Sequence, residues 1–214
     1  MKLKIGLLVV SLLASINLSM VPIDFDEVIL NSYQNEVSYF TSIINLQNRG
    51  EGEINRIVNW IGCYNSKMPD PLKQVIANEV WLMSLKYDNL SIDLICGTIT
   101  WESALTWNPV IVSPVGAIGL MQIMPATGYF LAEWEGLDRF SIVDLFNPVI
   151  NIRLGCHYLS YLIDLHKSEE KALANYNGGH YQAIYYITGD IRLCEETKNY
   201  VPSVLLLAEK FENR

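Results

Sequence analysis

The sequence predicts an all-α, predominantly helical fold. Apolar residues recur at three- and four-residue steps along most of the 214-residue chain, which is the spacing of one helical face. No strand-like alternation extends beyond a few residues, although a small β-hairpin could lie within residues 106–124. Half of the residues are hydrophobic, which excludes a disordered chain and is enough for one domain with a real core.

Turn residues divide this pattern into successive helices. Asn147-Pro148 is a typical helix start, because asparagine caps the end and proline fits the first helical position. Gly178-Gly179 closes a later helix. The predicted helices cover residues 24–47, 53–62, 71–87, a segment from 92 that bears Glu102, and residues 126–134, 148–166, 168–177, 180–187 and 201–211.

The helix that begins at residue 92 carries a carboxylate at its end. Helical spacing places Glu102 on the same stripe as Ile95, Ile99 and Leu105. A carboxyl group on an apolar stripe loses water, which raises its pKa and allows it to act as a proton donor near neutrality. The alternative from spacing alone is a structural glutamate that is solvated or paired with a cation.

The segment that follows Glu102 combines turn residues with apolar ones. Asn108-Pro109, Ser113-Pro114, Gly116 and Gly119 indicate a loop with tight turns. Apolar side chains are nevertheless frequent between residues 110 and 124. Such a loop beside a buried acid is expected to form the wall of a cleft.

Three short blocks occur in a fixed order between about residues 90 and 205. The first comprises Glu102-Ser103, Asn108-Pro109, Ser113-Pro114, Gly116-Ala117, Gly-Leu-Met-Gln at 119–122, Met124-Pro125 and Thr127. The second is Ala-Leu-Ala-Asn-Tyr-Asn-Gly-Gly at residues 172–179, and the third is Glu196-Thr197 followed by Tyr200-Val201. Together they resemble the catalytic segment of lytic transglycosylases of the soluble, goose-lysozyme-related type.

The chain departs from that family pattern at two places. Asn175 stands where alanine is usual. Four residues, Ala-Leu-Thr-Trp at 104–107, separate Ser103 from Asn108, which is two more than usual. The extra pair predicts either an extension of the helix or a bulged loop, and it affects how Ser113 would approach a sugar.

The resemblance implies a lysozyme-like catalytic domain at residues 89–214. Periodicity alone predicts the additional helices that precede it at 21–88. It also implies cleavage of the MurNAc-β-1,4-GlcNAc bond of peptidoglycan with formation of 1,6-anhydroMurNAc ends. Glu102 would act first as general acid and then as base. The residues that match substrate-binding or acid-holding positions, or supply suitable side chains for a sugar cleft, are Ser113, Gln122, Met124, Tyr176, Asn177 and Tyr200.

A single convincing acid favours a reaction in which the substrate supplies the nucleophile. The carboxylates after the loop, Glu133, Glu135, Asp138 and Asp144, lie on a polar stretch and are expected to be solvated. One alternative is a goose-lysozyme-like hydrolase, which would need a positioned water and a second carboxylate. Another is a non-catalytic peptidoglycan-binding component of a secretion apparatus. A partner in secretion or cell-wall machinery is compatible with each function.

Composition excludes other classes of partner. A formal net charge of −8 disfavours nucleic acid, which requires a basic surface. No HExxH motif, phosphate-binding loop or carboxylate cluster indicates a metal ion or a nucleotide cofactor. We therefore expect no cofactor and no metal.

Residues 1–20 predict export to the periplasm or cell envelope. Lys2 and Lys4 precede about ten apolar residues and then small polar ones, which is typical of a secretory signal peptide. An uncleaved anchor is the alternative, and the membrane would then be contacted only through this segment. In an oxidising compartment, the four cysteines at positions 63, 96, 156 and 194 are compatible with two disulfides or with buried free thiols.

Overall fold

The computed structural model describes residues 50–213, and over these residues the predicted all-α fold is confirmed. The predicted leader at residues 1–20 and the predicted helix at 24–47 lie outside the described residues. The described elements are α1 (residues 50–64), α2 (Asp70–Lys86), α3 (Ile92–Glu102), α4 (Pro125–Trp134), a short 3-10 helix (Ile142–Phe146), α5 (Pro148–His166), α6 (Glu169–Thr188) and α7 (Glu195–Glu212).

Among the described helices, α3 and α7 form the most extensive pair. Ser91 caps α3 by accepting a hydrogen bond from the Leu94 amide at 3.0 Å. The helices approach closely at Gly97, where an added Cβ would lie 2.7 Å from the Val204 carbonyl oxygen. Because they run antiparallel, the end of α3 at Glu102 meets the first turns of α7.

The two extra residues after α3 form a bulge. The helix ends at Glu102, and Ala104, Leu105 and Trp107 have positive φ values of 52°, 62° and 50°. Trp107 is fully buried, and its indole Nε1–H donates to Thr100 Oγ1 at 3.0 Å. Leu105 is 48% exposed beyond the helix, so the prediction that it shares the stripe of Glu102 is wrong.

The loop before α4 contains bridges instead of a β-hairpin. Ile118 forms two isolated antiparallel bridges, one with Val112 and one with Ile123. The Ile118 and Ile123 amides donate to each other's carbonyls at 3.0 Å. These bridges fold the chain tightly while leaving no strand in the part of the chain that the structure describes.

Three helical features differ from the sequence-based expectation. The sequence pattern does not predict the 3-10 helix, at whose start the Ser141 amide and hydroxyl both donate to Asp144 Oδ2. Helix α6 continues through Gly179, whose φ of 79° and ψ of −179° kink it. Helix α7 begins at Glu195, six residues before the predicted start at 201, because Cys194 caps it and two glutamates favour its first turn. It therefore includes Pro202.

Glu135 joins α2 and α5 to the end of α4, which contradicts its expected solvation. It accepts hydrogen bonds from Lys86 Nζ at 2.9 Å and from Tyr87 at 3.0 Å, and it pairs with His157 Nδ1. Burial alone would raise its pKa, but the hydrogen bonds from His157, Lys86 and Tyr87 outweigh burial and lower the pKa to about 2.

The cysteines of the described residues are not joined in disulfides. Cys96 and Cys156 are fully buried in α3 and α5, and Cys194 is an exposed free thiol. Burial raises the pKa of both buried thiols, so they pack as small apolar groups. None of the helices between residues 50 and 213 combines the length and hydrophobicity needed to span a bilayer.

Candidate active site

The carboxyl group of Glu102 lies where α3 meets α7. Its side chain is half-buried, and the Tyr200 hydroxyl donates a hydrogen bond to Oε1 at 2.6 Å. Gly97 permits the close packing that brings these two helices together. One carboxyl oxygen is therefore held by a phenol, which leaves Oε2 as the candidate atom for proton transfer.

Burial raises the pKa of Glu102 to about 8. The hydrogen bond from Tyr200 opposes this shift, and the negative charge of Glu196 adds to it. At pH 7 the carboxyl group is mostly protonated, since the pH lies below its pKa. A protonated carboxylic acid at neutral pH can serve as a general acid.

Tyr200 remains a neutral donor to this carboxyl group. It is 1% exposed, and burial together with the nearby charge of Glu102 raises its pKa well above the usual range. A phenol that does not ionise keeps its O–H directed at the carboxylate. Tyr200 thus holds the orientation of Glu102 and favours its charged form.

Tyr176 connects α6 to the loop. Its hydroxyl donates to the Met121 carbonyl at 2.9 Å, and its ring packs against Tyr158 at 5.4 Å. Burial and the charge of Glu102 both raise the pKa of Tyr176. This tyrosine therefore lies near the carboxyl group and fixes the backbone of residues 119–122 beside it.

Asn151 anchors the same loop from α5. Its Oδ1 accepts from the Met121 amide at 2.8 Å, and its Nδ2 donates to the Ile118 and Leu145 carbonyls at 2.9 Å. Gly119, with a φ of 81°, fits here because an added Cβ would lie 2.3 Å from Asn151 Nδ2. Sequence analysis missed Asn151, although a polar residue within an apolar helical stripe was an available signal.

Ser113 and Gln122 form hydrogen bonds within the loop. Ser113 Oγ accepts from the Ala117 amide at 3.0 Å and closes a turn. Gln122 Nε2 donates to the Gly119 carbonyl at 2.8 Å from a residue with a φ of 47°. Met124 is partly exposed at the start of α4. These residues shape the loop, and the hydrogen bonds of Ser113 and Gln122 do not extend to Glu102.

Asn177 connects the end of the straight part of α6 to α7. Its Oδ1 accepts from Thr197 Oγ1 at 2.7 Å, and its Nδ2 donates to Glu196 Oε1 at 3.4 Å. Glu196 is exposed one helical turn before Tyr200. The structure therefore places a second carboxylate near Glu102, which sequence analysis named only as a motif residue.

The donor set at this site is a carboxyl group, phenols and amides. Between residues 50 and 213, no group of three or more His, Cys, Asp or Glu side chains could hold a metal ion. The arrangement can donate a proton from Glu102 and offers hydrogen-bonding groups on the loop and on α6 and α7.

A family model described as the transglycosylase SLT domain matches residues 79–190. Soluble lytic murein transglycosylase of Escherichia coli K12 is 45% identical over 62 residues, which are 28% of this chain and 9% of that protein. A putative soluble lytic murein transglycosylase of Haemophilus influenzae is 31% identical over 140 residues, which are 60% of this chain and 23% of that protein.

Two solved structures have the same fold over most of the chain. An inactive glutamate-to-glutamine mutant of lytic transglycosylase Slt from Pseudomonas aeruginosa superposes with a TM-score of 0.55 at 28% identity, covering 63% of this chain and 23% of that chain. The 70-kDa soluble lytic transglycosylase Slt70 of Escherichia coli gives 0.58 at 22% identity, covering 77% and 29%. The chain thus spans less than a third of each of these proteins.

Proposed function

The chain belongs to the transglycosylase SLT domain family, and from this membership we propose that it is a lytic transglycosylase that cleaves the glycan strands of peptidoglycan. The observation that carries the proposal is the half-buried Glu102, with a pKa of about 8 and one oxygen held by Tyr200. The bond cleaved would be MurNAc-β-1,4-GlcNAc, and the product would carry a 1,6-anhydroMurNAc end.

In the first step, Glu102 protonates the glycosidic oxygen while the bond to the anomeric carbon breaks. The N-acetyl oxygen of the same MurNAc attacks that carbon and forms an oxazolinium-like ring, which is the substrate-assisted alternative to a second carboxylate. The proton is available near neutral pH because burial keeps the carboxyl group protonated.

In the second step, the Glu102 carboxylate accepts a proton from the C6 hydroxyl of the same sugar. That oxygen attacks the anomeric carbon, the bond to the N-acetyl oxygen breaks, and the 1,6-anhydro ring closes. Glu102 returns to its protonated form, and no water is consumed. The hydrogen bond from Tyr200 stabilises the carboxylate between the two steps.

The loop and helix α6 supply groups suited to a sugar. We propose that Met124 contacts an apolar sugar face, and that Gln122, Ser113 and Asn177 offer amide and hydroxyl groups to its polar edge. Tyr176 would act by holding the Met121 carbonyl and hence the loop. Release of products with anhydro ends from purified sacculi, identified by mass spectrometry, tests the proposed function.

The hydrolase alternative is favoured by one observation, the second carboxylate of Glu196. Its negative charge contributes to the raised pKa of Glu102, and Asn177 hydrogen-bonds to it. In a hydrolase this carboxylate would have to activate a water. In a transglycosylase it would only affect the proton affinity of Glu102.

Glu196→Gln separates these two roles. The transglycosylase proposal predicts cleavage at near wild-type rates at pH 6, with the alkaline loss of activity starting at lower pH. The pKa of Glu102 falls because a neighbouring negative charge is removed. A pH–rate profile of kcat/KM checks this, and loss of cleavage at every pH would support the hydrolase.

Tyr200→Phe is expected to shift the same profile in the opposite direction. The hydrogen bond from Tyr200 lowers the pKa of Glu102, so its removal raises the pKa and moves the alkaline limb to higher pH. The maximal rate should fall, because Glu102 loses its fixed orientation. An unchanged alkaline limb in the pH–rate profile would show that Tyr200 does not act on the ionisation of Glu102.

Export to the periplasm or cell envelope is also a proposal, based on the leader-like residues 1–20. A peptidoglycan substrate is consistent with that location, and a secretion or cell-wall machinery could supply a partner there. Fractionation that recovers the full-length chain from the cytoplasm would contradict it.

A further inference from the structure

An exposed aromatic surface lies on α4, apart from the residues that contact Glu102. Tyr129, Phe130 and Trp134 of this ten-residue helix are each about half exposed, and Tyr161 of α5 is similarly exposed beside them. Large apolar side chains that remain together on a surface commonly mark a binding site. The proposed mechanism uses none of them.

Part of this surface lines a hollow of about 520 Å³. The hollow, here called the aromatic hollow, is lined by Tyr129, Phe130, Glu133, Asp138 and Phe140, among others. The rings of Tyr129 and Phe140 meet edge to face at 5.3 Å. Glu133 and Asp138 are exposed, and neither belongs to an ion pair within residues 50–213. Both carboxylates can therefore accept hydrogen bonds from a ligand.

An aromatic ridge continues from this hollow. Phe130 lies 4.8 Å from Trp134 between ring centroids, and Trp134 lies 5.2 Å from Tyr161 and 5.3 Å from His157. His157 is itself held by Glu135. These contacts support Trp134 from behind, so its exposed part can meet a ligand with little loss of side-chain freedom.

The chemistry of this surface narrows the class of occupant. Two unpaired carboxylates, on a chain with a formal net charge of −8, disfavour anionic lipid headgroups, acidic polymers and a second copy of this chain. A sugar has apolar faces that can stack on aromatic rings, and hydroxyl and amide groups that can donate to carboxylates. The aromatic hollow offers both kinds of partner, because its rings lie beside the carboxylates of Glu133 and Asp138.

We propose that the aromatic hollow and ridge form an accessory glycan-binding surface that holds N-acetylated sugar units outside the candidate active site. The choice of a glycan as occupant rests on the proposed function. Helix α4 begins at Pro125, directly after the loop beside Glu102, and its ten residues extend about 15 Å. The aromatic surface is therefore within the reach of a glycan strand several sugar units long. Binding there would keep the enzyme on its insoluble substrate.

Co-sedimentation of the full-length Glu102→Gln protein with peptidoglycan glycan, stripped of its peptide stems by an amidase, tests this proposal. Phe130→Leu and Trp134→Leu in that background keep an apolar side chain but remove the rings. We expect each to weaken binding by about threefold to tenfold. Tyr181→Leu, at an exposed tyrosine on α6, is the matched control and should not change binding.

Binding equal to that of the control would overturn the proposal. Glu133→Gln should bind the stripped glycan within about twofold of the parent, because an amide still exchanges hydrogen bonds with hydroxyls. A large loss with Glu133→Gln, together with binding of an oligolysine peptide, would identify a cation site and also overturn it. Absence of cleavage by the wild-type protein would reject the proposed function alone, because sedimentation requires no turnover.

Discussion

Glu102→Gln is expected to slow peptidoglycan cleavage by about 10²–10⁴-fold, the usual contribution of general acid catalysis. Glutamine has nearly the same shape and can still accept the hydrogen bond that Tyr200 donates to Oε1. It cannot deliver a proton to the glycosidic oxygen or remove one from the C6 hydroxyl. Both proposed steps therefore fail while the α3–α7 contact is retained.

The stability of this variant provides a control against misfolding. The folded-state pKa of Glu102, about 8, lies above its ordinary value of 4.5, so the unfolded chain ionises first as pH rises. The ionisation of Glu102 therefore lowers the free energy of unfolding progressively between about pH 4.5 and 8. Because glutamine does not titrate, the Tm of the variant should exceed that of wild type increasingly over this range.

Glu209→Gln, at an exposed glutamate of α7, is the matched variant and should retain wild-type activity. Rates are measured on purified sacculi by release of soluble fragments, and Tm by thermal unfolding at several pH values. Glu102→Gln activity within about tenfold of wild type would exclude Glu102 as the general acid.

Asn151→Leu is expected to destabilise the protein by about 3 kcal/mol or more. Leucine has a similar volume but removes one acceptor and two donor bonds in a fully buried position. The Met121 amide and the Leu145 carbonyl each lose their bond to Asn151, while the Ile118 carbonyl keeps the bond from the Ile123 amide. An unsatisfied buried polar group costs about 1–3 kcal/mol. The Tm should fall by roughly 6–12 °C for a chain of this size.

Cleavage should fall along with stability, because Asn151 holds the backbone beside the candidate acid. Asn55→Leu, at an exposed asparagine within α1, gives the same substitution without loss of a buried network. Thermal unfolding and cleavage assays below the lower Tm separate the two effects. A Tm within about 2 °C of wild type would show that the three hydrogen bonds contribute little.

Local sequence pattern predicts most of the helices, but it does not predict how the chain leaves α3 after Glu102. The Asn147-Pro148 start and the Gly178-Gly179 break act through nearby backbone, and the structure has α5 beginning at Pro148 and a kink at Gly179. The bulge at 104–107 depends on Trp107 filling the core and donating to Thr100. Periodicity cannot anticipate such a tertiary contact, so it places Leu105 on the core-facing stripe although the side chain is exposed.

In the candidate site, too, local sequence indicates some residues, and tertiary packing brings in the others. Glu102 and Tyr200 are 98 positions apart. Helical spacing indicates Glu102 as a candidate acid, whereas only the motif resemblance indicates Tyr200. Asn151 and Glu196 reach the site through the packing of α5 and α7, which no local spacing encodes. The polar stretch around Glu135 predicts a solvated side chain, and its partners Lys86 and His157 lie 49 and 22 positions away, where local pattern does not indicate them.

The most direct test of the central claim is cleavage of purified sacculi by the wild-type protein in ¹⁸O-labelled water, followed by mass spectrometry of the released termini. Intramolecular attack by the C6 hydroxyl predicts MurNAc ends that are lighter by one water than reducing ends and carry no ¹⁸O. MurNAc reducing ends that carry ¹⁸O would show attack by water. That result would contradict the transglycosylase mechanism and identify a hydrolase.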